Sequence, residues 1–378
     1  MNTAKYTEPH TNWTTFQIYM SNRTDHHEHL GDPPIRGVDL TLATLLLFSL
    51  LLGTTGNLVS QYFFWRQTPR STNSTFFKRI YQTISCVDLL ICITLFPVIE
   101  AFFKDPEHDP QPPVLFGAPW FCYSWGLLWE VLPAISVFLV AVLSISRLVL
   151  LIKPTIQLRP ALFGVLVGGY LTLTVVVKCG LIFSHNKMAY WVIARHCIMV
   201  YDGPGKDSGE LDFDSNQLKT TVVMMVQLAL PIFPVAMSFV STMTALYKTE
   251  AAAKRVKSSL KAQHQAGITV VIVTLVYILF NLPVVVHFGL ILRCVAEHSR
   301  PDTLEKVCHY ESIYSSASSY YYMWPFMYVV CVALNSTVNP IVYFLRMKQF
   351  RKFVTSRISE SFSSRITTVG LSNMSPST

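Results

Sequence analysis

Charge is scarce in this chain. Aspartate, glutamate, lysine and arginine make up 14% of the 378 residues, against about 25% in an ordinary soluble domain. A water-facing surface on a chain of this length needs more, so a soluble multi-domain protein is excluded. Disorder is excluded by the opposite quantity: 51% of the residues are hydrophobic, ample apolar surface to bury. Cysteine is sparse at eight residues, which excludes a disulfide scaffold. Residues 1–37 lack an apolar run, so no cleavable leader is expected. A phosphate loop, a nucleophile elbow and a zinc-enzyme pair are also missing, and the chain reads as a non-enzyme.

What the chain does have is seven long apolar stretches, at 38–64, 78–103, 119–152, 161–184, 218–247, 264–294 and 317–345. Each is near or above the ~20 residues a helix needs to cross a ~30 Å hydrocarbon core. They are too long and too continuously apolar for barrel strands, which alternate over ~10 residues. The expected fold is therefore an all-α membrane protein, a seven-transmembrane bundle over 38–345. An N-terminal tail covers 1–37, an amphipathic helix 346–356 and a Ser/Thr-rich tail 357–378. In the short helix, Met347, Phe350, Phe353 and Val354 recur at helical spacing among Arg346, Lys348, Arg351 and Lys352. It is expected to lie on the inner leaflet.

The net charge is +8, and its distribution explains it. The first, third and fifth connections and the C-terminus hold 18 of the 30 basic residues and only two acids, Glu250 and Glu360. That side is expected to be cytoplasmic and the N-terminus extracellular. The positive charge then reports topology and anionic lipid, and no nucleic acid is expected. Sequons at Asn12 and Asn22 fall outside and are candidate glycosylation sites. Those at Asn73 and Asn335 fall inside and within the last span, and are expected to stay bare. In the longest outer loop, 185–217, the run from Tyr190 to Tyr201 is rich in β-formers and reads as a strand or hairpin. The tail run Asp25-His26-His27-Glu28-His29 reads as a polar segment rather than a metal site.

Polar groups at membrane depth are expensive and mark function. Asn57 lies in Gly56-Asn57-Leu58-Val59, Asp88 in Ser85-Cys86-Val87-Asp88-Leu89-Leu90, and Arg147 ends the third stretch. The last stretch carries Asn335-Ser336-Thr337-Val338-Asn339-Pro340-Ile341-Val342-Tyr343. Together with Cys122, 25 residues before Arg147, these motifs resemble the rhodopsin-like (class A) G-protein-coupled receptors over roughly residues 38–356.

The resemblance implies a multi-pass plasma-membrane receptor that passes an extracellular signal to heterotrimeric G proteins. Receptor kinase and arrestin would act on tail serines such as Ser359, Ser361, Ser363 and Ser364. It implies a disulfide between Cys122 and Cys197, and makes Cys294 and Cys308 candidates for a second. It implies no cofactor, but a sodium ion as allosteric modulator, held among Asp88, Ser136, Asn335, Ser336 and Asn339. The alternatives are a hydrated network or a protonated Asp88. Arg147, Pro283, Asn339, Pro340 and Tyr343 become the activation switch.

The chain departs from the family at this switch. Ser146 and Leu148 flank Arg147 where the family has an acid and a tyrosine, and Gln263, His264 and Gln265 offer no acid at the sixth stretch. The electrostatic restraint on Arg147 is thus absent, and raised basal activity or heavier reliance on the sodium site is expected. Asn281 stands where the family has tryptophan, and the fourth stretch lacks its tryptophan.

For the ligand, Trp129 replaces the aspartate of amine receptors, and residues 317–345 hold no lysine to carry retinal. A helix bend at Pro97, acidic outer loops (Asp105, Glu107 and Asp109; Asp202, Asp207, Glu210, Asp212 and Asp214) and outer aromatics including Tyr322 favour a basic or amidated peptide. Trp129, Glu130, Asn281, His287 and Tyr322 form the expected pocket. Glu130 either pairs the ligand's positive charge or bonds within the bundle. The competing reading is a scavenger or scaffold receptor of the same fold that does not signal through G proteins. A transporter would show inverted repeats, and the sequence shows none.

Overall fold

The computed structural model describes residues 35–69, 71–103, 119–153, 155–184, 186–191, 196–201, 233, 235–244, 247, 268–269, 271–283, 318–357 and 359. The first stretch is helix α1 (Ile35–Phe48), a π-helical turn (Ser49–Gly53) and α2 (Thr54–Arg66). There follow α3 (Thr72–Thr94), α4 (Phe96–Phe103), α5 (Pro119–Ile152) and α6 (Pro160–Ser184), then β1 (Asn186–Trp191) and β2 (His196–Tyr201). Two short apolar helices, α7 (Val235–Thr244) and α8 (Val271–Pro283), fall inside the fifth and sixth stretches. The last long helix is α9 (Ser318–Arg346), and α10 covers 348–357.

Five segments are helical, long and apolar enough to cross a membrane: Thr41–Arg66, Thr72–Glu100, Trp120–Ile152, Pro160–Gly180 and Val329–Arg346. The architecture is that of a helical membrane protein. Its outward faces agree. Leu162, Val165, Leu166, Leu171, Leu173 and Val176 all point away from the bundle on α6, where hydrocarbon rather than protein is the matching solvent.

Hydropathy misplaces some helix ends, and local chemistry explains each case. α3 starts at Thr72, six residues before the apolar run. Ser71 caps it: its hydroxyl accepts from the Ser74 N–H at 3.2 Å, while Ser74 Oγ accepts from the Ser71 N–H at 2.9 Å. This reciprocal cap satisfies two backbone donors and fixes the start. At the far end, Pro97 has no N–H for the carbonyl four residues back. The chain tightens there, Leu95 N bonding Cys92 O at 3.2 Å, and a new helix begins. The helix is therefore interrupted at Leu95, two residues before Pro97.

α3 is the central helix. It packs against α2, α5, α6 and α9, and buries Phe76, Ile80, Ile84, Ile91 and Leu95 with Leu139 and Leu143 of α5. Two glycines bring α2 close to its neighbours. A Cβ at Gly53 would lie 2.4 Å from Cys92 Sγ and 2.9 Å from Thr337 Oγ1, and one at Gly56 2.8 Å from Pro340 Cβ. Small residues at such crossings let backbones approach.

α10 turns its apolar side to the protein. Phe350 is buried, its ring 5.1 Å from Phe63, and Phe353 lies 5.4 Å from the same ring. The expected amphipathic helix is thus present, with its apolar face packed on α2. The expected hairpin is also present, shifted toward the N-terminus. β1 and β2 pair antiparallel, with Tyr190 opposite Cys197 and Trp191 opposite His196, and both strands pack against α5.

Candidate functional site

The centre of the site is Asp88, on α3 and fully buried. Its two oxygens are addressed from two other helices. Ser136 Oγ of α5 donates to Oδ1 at 3.4 Å, and Asn339 Nδ2 of α9 donates to Oδ2 at 2.7 Å. A carboxylate in a low-dielectric interior needs such donors. Asn57 ties α2 into the same region, its Nδ2 donating to Gly53 O at 2.9 Å and to Ser336 O at 3.1 Å. Of the residues expected around Asp88, Ser136 and Asn339 make direct bonds, while Asn335 and Ser336 are buried on α9.

Asn57 Oδ1 and Ser85 Oγ are buried without a hydrogen-bond partner among the described residues. Unpaired buried acceptors of this kind cost about 1–3 kcal/mol each. A hard cation takes oxygen ligands, carboxylate first. Asp88 with the hydroxyls of Ser136 and Ser336 is a donor set that fits sodium. The ion would supply a positive charge facing Asp88. The Asn339 amide, a hydrogen-bond donor to the same carboxylate, holds α9 to α3 by itself.

One turn beyond Asn339, Tyr343 is fully buried. Its ring meets Tyr81 edge-on at 5.4 Å and Phe64 at 5.8 Å, and Phe64 stacks on Tyr81 at 5.4 Å with 10° between planes. Tyr81 in turn reaches Arg147: Nη2 donates to Tyr81 OH at 3.4 Å. The guanidinium carbon of Arg147 lies 3.5 Å from the ring centroid of Phe77. Side-chain contacts thus join Asp88 to Asn339 and Tyr343 to Tyr81 and Arg147, and one turn of α9 separates Asn339 from Tyr343. Ser146 is buried beside it. The neighbouring link between α5 and α8 is a 3.0 Å hydrogen bond between Ser144 Oγ and Thr274 Oγ1.

At the other end of α5, Trp125 and Trp129 stack at 5.2 Å with 8° between planes, and Trp125 Nε1 donates to Thr94 O at 2.9 Å. Cys122 is disulfide-bonded. Cys86, Cys92, Cys179 and Cys331 are free, so its partner is among Cys197, Cys294 and Cys308, whose side chains lie outside the described residues. β2, which carries Cys197, packs on the helix that carries Cys122.

Glu130 bonds within the bundle. Lys178 of α6 places Nζ 2.8 Å from its Oε2, with 3% of the lysine side chain and 25% of the glutamate exposed. Of the two roles the sequence leaves open for Glu130, the structure supports the internal one. Asn281 likewise turns to its own helix, Nδ2 donating to Tyr277 O at 2.9 Å, and is buried. Trp129 is buried. Pro283 is the last described residue of α8, and Pro340 packs against Gly56. His287, the Tyr322 side chain, Asn12 and Asn22 lie outside the described residues.

Sequence reasoning missed Lys178, Phe77 and Tyr81. For Lys178 a signal existed: a lysine inside an apolar run needs a counter-charge, and Glu130 was the unpaired acid. For the two aromatics there was none, because rings at the end of a span are common. The chain matches no protein-family model and no curated protein sequence.

Proposed function

We propose that the chain is a seven-helix receptor of the rhodopsin-like kind. It would sit in the plasma membrane with its N-terminus outside and couple an extracellular ligand to heterotrimeric G proteins. The observation that carries this reading is that α9 bears both Asn339, bonded to Asp88, and one turn further Tyr343, against Tyr81 and so next to Arg147. A polar core joined to a cytoplasmic arginine by one helix is a two-state device. A ligand that binds one arrangement better shifts the population toward it. Parting of the helix ends near Arg147 and Tyr343 then opens the surface for the G-protein α-subunit. Tail phosphorylation by a receptor kinase, followed by arrestin, would end the signal. The acidic outer loops and outer aromatics support a basic or amidated peptide as ligand. With Glu130 engaged by Lys178, the peptide's charge is met by the loop carboxylates instead.

The test needs no ligand. Agonist-free G-protein dissociation is measured in cells across the main α-subunit classes, for wild type and Arg147→Ala at matched surface expression. A wild-type signal above empty vector that the substitution abolishes supports the reading. Ser146 and Leu148 in place of the family's acid and tyrosine favour a second reading, a scavenger or scaffold receptor. Ligand uptake or arrestin recruitment without any G-protein signal, basal or peptide-stimulated, would select it.

A further inference from the structure

The residue before Arg147 is a serine, and a serine cannot hold an arginine by charge. Arg147 is held nevertheless. Its guanidinium carbon sits 3.5 Å from the Phe77 centroid, well inside the ~6 Å range of a cation–π contact, and Nη2 reaches Tyr81 OH at 3.4 Å. Both aromatics are buried, Phe77 at 6% and Tyr81 at 5% exposure, and such contacts strengthen when desolvated. Among the described residues, Arg147 has no carboxylate partner, and its Nε is buried with no acceptor.

Phe77 and Tyr81 are themselves fixed. Phe77 meets Phe76 edge-on at 5.6 Å, and Tyr81 lies between Phe64 and Tyr343. From this geometry we propose that Phe77 and Tyr81 are the positioning residues for Arg147, restraining it by a ring face and a phenol where a carboxylate would otherwise do so. The proposal rests on the receptor reading for its consequence, but the restraint itself is a property of the fold. A restraint of this kind acts against the raised basal activity expected from the missing acid. The restraint is present and its strength follows the electron density of one ring. Tyr81 also touches Tyr343, so a shift of α9 loosens the arginine directly.

The test is progressive fluorination of Phe77, which drains the ring's negative face and keeps its shape. Mono-, di- and trifluorophenylalanine are placed at position 77 of the full-length chain in lipid nanodiscs, in wild-type and Arg147→Gln backgrounds. The first readout is the distance distribution between nitroxides at Ile152 and Leu275, both exposed, measured without ligand. The expected result is a population of the longer distance that grows about three- to tenfold over the series, with no trend in Arg147→Gln. Tyr81→Phe shifts it less, in the same direction. A distribution that ignores fluorination, or that shifts equally in both backgrounds, overturns the proposal and leaves Phe77 a packing residue. The second readout is nucleotide exchange on purified G protein with the same samples. If distances follow fluorination and no sample, wild type included, drives exchange, the receptor reading falls and the restraint stands.

Discussion

Lys178 and Glu130 meet at 2.8 Å from two different helices, the lysine almost wholly buried. Removing one partner from such a pair costs about 3–5 kcal/mol, because the other charge is left behind. The value here belongs at the low end, since Glu130 keeps a quarter of its side chain exposed. Glu130→Gln is expected to lower the melting temperature and surface expression. Lys178→Met is expected to cost less, since its stranded partner is the more exposed one. The exchanged pair, E130K with K178E, is expected to recover most of the loss. Thermal melting in detergent for all four proteins checks this. No recovery in the exchanged pair would mean the two charges act separately.

Gly53 leaves no room for a side chain. Gly53→Ala is expected to destabilise by about 1–3 kcal/mol through overpacking, because its Cβ would meet Cys92 Sγ at 2.4 Å. Adding Cys92→Ala is expected to return part of that. Thr337 Oγ1, at 2.9 Å from the same Cβ, keeps the recovery incomplete. A double-mutant melting cycle reads the coupling, and strict additivity would contradict the contact.

Sodium is expected to stabilise the wild-type protein relative to an equal concentration of choline. At a concentration about tenfold above Kd, the gain is about 1.4 kcal/mol. Asp88→Asn is expected to abolish the difference, because the carboxylate leads the ligand set, and Ser136→Ala to reduce it. Melting curves in the two salts decide the matter. Equal curves for wild type would leave Asp88 as a link between α3, α5 and α9 only.

Asn73 lies in a sequon but is otherwise engaged. Its Oδ1 accepts from Leu158 N at 2.7 Å and its Nδ2 donates to Ile156 O at 3.0 Å, pinning the connection between α5 and α6. Asn73→Ala is expected to speed proteolysis within 153–159 while changing global stability by about 1–3 kcal/mol, the worth of two hydrogen bonds. Mass spectrometry of the cleaved fragments would show it. Cleavage unchanged from wild type would show that the connection is held elsewhere.

The parts of this structure legible in the sequence were those set by the bilayer. Apolar length located the five segments long enough to span, expensive polar atoms pointed to Asp88 and Asn339, and the resemblance added Ser136; these three do meet. What escaped were relations between helices. Glu130 and Lys178 are 48 residues apart, and only packing puts them at one level. Phe77 and Tyr81 lie on the first turns of α3, which begins at Thr72, a start fixed by the Ser71 hydroxyl cap that hydropathy does not register. Trp129, expected in the ligand pocket, is buried in a stack with Trp125.

The π-helical turn at Ser49–Gly53 has a consequence for the first span as a mechanical part. A π turn holds one residue more than an α turn, and each residue of an α-helix advances about 100°. The segment before the turn is therefore out of phase with α2 by about that angle. On an uninterrupted α-helix Leu42, Leu46, Asn57 and Ser60 would fall within about 60° of one another; the π turn sets the two pairs on different faces, and all four are buried. Losing one residue from Leu50-Leu51-Leu52 would remove the wide turn and leave both halves facing as they do, whereas closing the turn into α-helix with no residue lost would swing the outer half by about 100° about its own axis. The extra residue thus sets which face the outer half of the first span turns to the bundle, while Asn57 and the close approach at Gly56 fix the inner half.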